Sequence, residues 1–195
     1  MNIPNQLTVA RLVLTAIFVI LLSTTGIPFG RTLAFLTFAI AAFTDFLDGY
    51  LARKHSLITN FGKLMDPLAD KVLMASGFVM LVGLDLVPAW VVVAILGREF
   101  LVTGLRLLAT SQGKVLAAEK LGKYKTTWQI ITLLYFLAFL ASQELNWPPL
   151  SAGFHWPPAS PESLGRLLIL ASLVLTVWSG LSFAWNSRQI LREEH

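Results

Sequence analysis

Cysteine is missing altogether from this 195-residue chain, and charge is scarce. Without cysteine there are no disulfides and no thiolate metal ligands, and the redox compartment leaves no mark on the sequence. Charged residues make up 13% of the chain, against about 25% in soluble globular proteins. Hydrophobic residues make up 55%, and the mean hydropathy is +0.69. This balance excludes an ordinary soluble domain and points to an integral membrane protein. The net charge of +4 is modest, and no nucleic-acid partner is expected. The length suits a single domain spanning 1–195. The opening "MNIPNQLTVARLVLTAIFVILL" lacks the positive n-region and the small-residue cleavage site of a signal peptide, so it reads as a retained first helix.

What the sequence has in quantity is apolar runs of membrane length. A helix needs about 20 residues to cross the hydrocarbon core. Six stretches meet that length, at roughly 5–24, 31–53, 67–86, 88–110, 123–142 and 163–187. Between them lie "TTGIPFG", "LDLVP", "SQGK" and "NWPPLSAGFHWPPASPES", rich in the Pro and Gly that interrupt helices. The predicted fold is all-α, an integral membrane bundle of six transmembrane helices. Arg53, Lys54, Lys63 and Lys71 cluster after the second span; Lys114, Lys120, Lys123 and Lys125 after the fourth; Arg188 and Arg192 in the tail. The side rich in basic residues is normally cytoplasmic. A multi-pass protein of the cytoplasmic membrane follows, with both termini inside. The 146–161 loop then lies outside, with Trp147 and Trp156 anchored at headgroup level.

The candidate chemistry sits on the basic side. Four of the five aspartates, Asp45, Asp48, Asp66 and Asp70, fall within "TDFLDGYLARK" and "GKLMDPLADK". A charge at the centre of a membrane helix costs roughly 2.5–3.5 kcal/mol or more, so such residues face a polar cavity, a metal or a partner. Asp45 and Asp48 lie about 60° apart around a helix, with Gly49 next and Ala52 almost directly above Asp45. Gly62, Asp66 and Asp70 step by four and form a second narrow stripe if the helix runs through Pro67, read here as a first-turn proline. Facing each other, the two helices converge four carboxylates on one volume. Carboxylate oxygens suit hard divalent cations such as Mg²⁺, and such a set can hold two metals. Taken singly, Asp66 reads as a helix N-cap before Pro67, and Asp45 as a buried partner of Arg53. Those readings leave the convergence of all four unexplained.

The residues Asp45, Asp48, Gly49, Ala52, Arg53, Gly62, Asp66 and Asp70 spell D-x2-D-G-x2-A-R-x8-G-x3-D-x3-D. This resembles, without departure, the signature of the CDP-alcohol phosphatidyltransferase family. "NIPNQLTVAR", "REFLVTGLRLLA" at 98–109 and "GKYKTTWQ" at 122–129 are similar to the bacterial branch that makes phosphatidylglycerophosphate. The likeness runs from residue 2 to about 130, and the last third looks generic. The resemblance implies an enzyme that takes CDP-diacylglycerol and an alcohol, releases CMP and makes a phospholipid from a polar active-site cavity on the cytoplasmic side. It implies that Asp45, Asp48 and Asp66 hold two Mg²⁺ or Mn²⁺ ions. Asp70 is then the general base on the attacking hydroxyl and a further metal contact. Asp48, Gly49, Arg53 and Gly62 line the CDP side, with Ala52 a small packing position. It also implies a homodimer.

The acceptor is read from the fourth span, where Arg98, Glu99 and Arg106 interrupt an apolar run. Glu99, Thr103 and Arg106 fall on one helical face, with Arg98 about 100° away. One reading is an ion pair that fixes packing. The other is an anion pocket for an acceptor phosphate, which the planar fork of arginine suits. Lys123 and Lys125 add charge from the same side, and Thr8 and Arg11, one turn apart, can join them. A neutral acceptor needs no such set. Inositol phosphate or glycerol 3-phosphate does, and the "REFLVTGLR" resemblance favours glycerol 3-phosphate. The rival from another class, a divalent-cation transporter, expects midplane carboxylates and internal repeats. Neither is present.

Overall fold

The computed structural model describes residues 3–55, 60–111, 120–145 and 161–187. For 3–5, 45–55, 60–64, 66, 120, 121, 123 and 161–163 that description covers the backbone alone. The described residues form six helices: α1 (Ile3–Ser23), α2 (Gly30–His55), α3 (Asn60–Gly83), α4 (Ala89–Ser111), α5 (Lys120–Leu145) and α6 (Pro161–Asn186). The all-α expectation is met, and most boundaries fall within three residues of those read from the apolar runs. Among the described residues three segments qualify as membrane spans by length and composition: Gln6–Ser23, Tyr124–Leu145 and Leu164–Asn186, with Gly30–Thr44 a shorter apolar helix. The 146–161 loop, apart from the helical Pro161, lies outside the described residues, as do Trp147 and Trp156.

The third helix departs from the sequence reading. It begins at Asn60 rather than 67 and carries Pro67 inside, not in its first turn. The good helix formers Lys63, Leu64 and Met65 carry the helix up to the proline. Asp66 therefore lies well inside α3 and is not its N-cap, and Gly62, Asp66 and Asp70 share one unbroken helical stripe.

Two short turns show how the chain reverses. Between α1 and α2, Gly26 takes φ +96°, a left-handed value that glycine reaches without strain. Between α3 and α4, the Leu86 amide bonds the Leu81 carbonyl and the Asp85 amide bonds that of Val82, both at 3.0 Å. This is the Schellman pattern, with Asp85 at φ 56° in the place usually taken by glycine. The fifth aspartate thus terminates a helix.

The core lies where α1, α2, α3 and α5 meet. Phe18 and Phe38 pack with ring centroids 5.4 Å apart, and Leu73, Phe78, Leu81, Leu133 and Leu137 are buried around them. Helix α1 packs on α2 and α3, α2 on α5, and α6 on α5 and α4. Glycines permit the closest approaches. A Cβ on Gly77 would stand 3.0 Å from Leu133 Cδ1, and one on Gly165 would stand 2.8 Å from Phe136 Cζ. The outside is apolar too, with Val93 70% and Phe100 67% exposed. So much uncovered hydrocarbon suits lipid rather than water.

Candidate active site

A cleft between α3, α4 and α5 brings together charged and polar side chains from all three helices. Asp70 and Lys71 from α3, Glu99 from α4, and Lys125, Thr126 and Gln129 from α5 line its polar part. Met74, Phe78, Ile95 and Phe100 are among the residues that line the rest. Asp70 is half-buried. The predicted base and one predicted phosphate ligand, Lys125, therefore share one cavity.

A short network holds these groups. Glu99 Oε1 accepts a hydrogen bond from Arg98 Nη1 at 3.2 Å and pairs with Lys125 Nζ. The Lys125 side chain is only 6% exposed. A cation at that depth requires a partner, and Glu99 supplies it. One turn along α4, the Thr103 hydroxyl donates to the Glu99 carbonyl at 2.7 Å and accepts from Lys71 Nζ. The ion-pair reading of Glu99 is thus realised, and the pair lies in the same cleft as Asp70.

The remaining predicted residues divide into two groups. Thr8 and Arg11 are fully buried on α1, which packs on α2 and α3. Arg106 is exposed and lies over the ring of Phe183 on α6, its Cζ 5.4 Å from the centroid. Arg98 runs along α6, where its Cγ comes within 2.8 Å of the place a Cβ on Gly180 would take. The side chains of Asp45, Asp48, Ala52, Arg53, Asp66 and Lys123 lie outside the described residues, as does the environment of Gly49 and Gly62.

Whether the chain suits a divalent cation is decided by its donors. Helix α2 is continuous through Asp45 and Asp48, and α3 is continuous through Asp66 and Asp70. Spacings of three and four put each pair on one side of its helix, and α2 contacts α3. An all-carboxylate set on two touching helices fits a hard cation such as Mg²⁺ or Mn²⁺. Among the described residues, which include only Asp70 of the four side chains, no cluster of three potential ligands occurs.

Sequence reasoning missed several members of this region. Lys71 counted only as a topological charge, and Gln129 only as part of a resemblance. Gln129 is buried and donates to Thr176 Oγ1 on α6 at 3.0 Å, and nearby the Thr132 and Ser172 hydroxyls meet at 2.8 Å. Helix α6, which looked generic, thus carries a buried polar seam of Ser172, Thr176 and Ser179. Its hydroxyls at 172, 176 and 179 follow a helical stripe, the one signal that was available.

Fold and composition define an all-helical chain with helices long and apolar enough for a membrane, and a cleft lined by both acids and cations. The model of the CDP-alcohol phosphatidyltransferase family matches residues 1–178. The chain belongs to that family. Among similar proteins is a CDP-diacylglycerol–glycerol-3-phosphate 3-phosphatidyltransferase of Bacillus subtilis, 46% identical over 143 residues, covering 68% of this chain and 74% of that protein. A protein of the same name from Rickettsia bellii is 41% identical over 183 residues, 93% of each chain. A probable phosphatidylglycerophosphate synthase of Mycobacterium tuberculosis is 35% identical over 184 residues, 93% of this chain and 79% of that one.

Proposed function

We propose that this protein transfers the phosphatidyl group of CDP-diacylglycerol to sn-glycerol 3-phosphate, giving phosphatidylglycerophosphate and CMP. The observation that carries this reading is the cleft in which Asp70 faces the same volume as Lys125, Lys71 and Glu99. A carboxylate beside several cations is what an anionic acceptor with a reacting hydroxyl requires. The names of the similar proteins support the same acceptor.

In this reading the acceptor phosphate is held by Arg98, Arg106, Lys123 and Lys125, with Thr8 and Arg11 contributing from α1. Asp70 takes the proton of the attacking hydroxyl. The hydroxyl oxygen forms a bond to the phosphatidyl phosphorus as the bond to the CMP phosphate oxygen breaks, and the electron pair leaves with CMP. Asp48, Gly49, Arg53 and Gly62 hold the CDP portion, and Ala52 keeps that face small. Asp45, Asp48, Asp66 and Asp70 would hold Mg²⁺ or Mn²⁺, which when bound offsets the negative charge of the pyrophosphate and leaving group. The chain is a single domain whose six helices all span the cytoplasmic membrane, with both termini and the cleft on the cytoplasmic side, where the basic residues cluster. It works as a homodimer, and nothing lies within 4 Å of a Cβ placed on Gly97 or Gly104, so α4 offers a second copy a smooth face.

The test is an acceptor panel on purified protein in detergent. CMP release is expected only when CDP-diacylglycerol, Mg²⁺ or Mn²⁺, and glycerol 3-phosphate are all present. Turnover with inositol phosphate or serine and none with glycerol 3-phosphate would overturn the acceptor.

A further inference from the structure

Helix α6 touches both of the arginines that interrupt α4. Gly180 lies where Arg98 passes: a Cβ there would meet Arg98 Cγ at 2.8 Å, and Arg98 Cβ and Nε at 3.8 Å. One turn further along, the buried Phe183 offers its ring to Arg106, with Cζ 5.4 Å from the centroid. Residues three apart on a helix share a face, so one stripe of α6 carries the groove for the first arginine and the platform for the second. Both residues lie beyond the 1–178 match to the family model.

That stripe is also fixed relative to the cleft. Thr176, four residues before Gly180, accepts the hydrogen bond of Gln129 at 3.0 Å, and Gln129 lies four residues beyond Lys125 on α5. Thr176, Ser179 and Gln129 are all buried, so this junction is a specific polar contact in an apolar setting. The path from Lys125 through Gln129 and Thr176 to Gly180 and Phe183 ties the α5 cation to the α4 arginines. Glu99 holds one end of Arg98 at Nη1, and α6 adds the contacts that fix the course of the Arg98 stem and the place of the Arg106 guanidinium.

We propose that Gly180 and Phe183 are positioning residues for the acceptor, setting where Arg98 and Arg106 present their guanidinium groups to the acceptor phosphate. The proposal rests on the reading of those arginines as acceptor ligands. Glycine is required at 180 because any side chain displaces Arg98. An aromatic is required at 183 because the negative face of its ring attracts the guanidinium. Displacement of a binding group by about 1 Å can cost as much as a hundredfold in rate, so the effect falls on the acceptor and not on the CDP-lipid.

The experiment measures KM for glycerol 3-phosphate and for CDP-diacylglycerol separately, with thermal unfolding in detergent alongside. Gly180→Ala is expected to raise the acceptor KM about tenfold and to leave the donor KM unchanged. Phe183→Leu is expected to raise the acceptor KM severalfold, and Phe183→Tyr, which keeps the ring, to restore it. If Gly180→Ala fails to fold, the Phe183 pair decides alone. Equal movement of both KM values, a fall in thermal stability with no change in acceptor KM, or a Phe183→Tyr variant no better than Phe183→Leu would each overturn the proposal. Arg98→Gln and Arg106→Gln run in parallel separate the two readings. If they leave the acceptor KM unchanged, the acceptor site itself is misassigned. If they raise it and the α6 variants do not, only the role of α6 falls.

Discussion

Glu99 and Lys125 form an ion pair that joins α4 to α5 across the cleft, and the same Glu99 oxygen accepts from Arg98 Nη1. One carboxylate thus serves two cations. Glu99→Gln removes it from both, and the cost is placed at the low end of the ~3–5 kcal/mol that follows when one partner of a buried pair is deleted. A clear drop in the unfolding temperature in detergent is expected. Glu99→Gln combined with Lys125→Met should regain much of that stability, because an apolar replacement removes the buried charge as well. It should not regain turnover. A double variant no more stable than Glu99→Gln would show that the pair does not carry the stability.

Asp70 occupies the cleft with Lys71 and Lys125, and the proposed reaction makes it the base. Asp70→Asn keeps the size and removes the proton acceptor. Loss of a positioned general base typically costs about 10²–10⁴-fold, and CMP release should fall at least that far while binding of the cytidine nucleotide persists. Equilibrium binding of CDP-diacylglycerol beside the CMP assay makes the distinction. Turnover close to that of the unaltered protein would remove Asp70 from this role.

The helices were legible because each contains a long apolar run, and α1, α3, α4 and α5 are followed by Pro or Gly within a few residues. The error at α3 came from Pro67. Proline inside a helix is costly, so the sequence placed it in the first turn, whereas the helix formers before it extend the helix back to Asn60. Asp70 was legible as a cleft residue because carboxylates are rare in the chain, and the helical spacing of Asp45, Asp48 and Asp66 agrees with the continuous helices that carry them. The α6 contacts were not legible. Gly180 and Phe183 look like any glycine and phenylalanine in an apolar run, and their meaning arises only when α6 packs on α4. The same holds for Gln129, whose partner Thr176 lies on a different helix.

Glu144, near the end of α5, caps the start of α2. Its carboxylate accepts from the Thr32 amide at 2.8 Å, the Thr32 hydroxyl at 2.7 Å and the Arg31 amide at 3.3 Å. The first amides of a helix have no partner within it, and a carboxylate there also meets the positive end of the helix dipole. Glu144→Ala should therefore cost about 0.5–2 kcal/mol of stability, the range for a lost N-cap. Lys125 stands 19 residues earlier on α5, about 28 Å along the axis. Both KM values should accordingly remain unchanged while the unfolding temperature falls. A shift in either KM would mean that this end of the bundle is coupled to the cleft.

The glycines of α3 and α4 separate two roles that look alike in the sequence. Gly77 sits in the core, where an added Cβ would be 3.0 Å from both Leu133 Cδ atoms and 3.2 Å from Phe38 Cε2. Leu133 and Phe38 are fully buried, so neither has room to move away. Gly77→Ala should then destabilise by about 1–3 kcal/mol, the usual cost of overpacking. Gly97 has nothing within 4 Å of such a Cβ. There alanine gains helix propensity, roughly 0.8–1.0 kcal/mol in an isolated helix, so Gly97→Ala should be neutral or stabilising in the monomer. Thermal unfolding of the two variants in the same detergent compares them directly. If Gly97→Ala proves as harmful as Gly77→Ala, then something outside the monomer covers Gly97, and cross-linking at that position would identify whether it is a second copy of the chain.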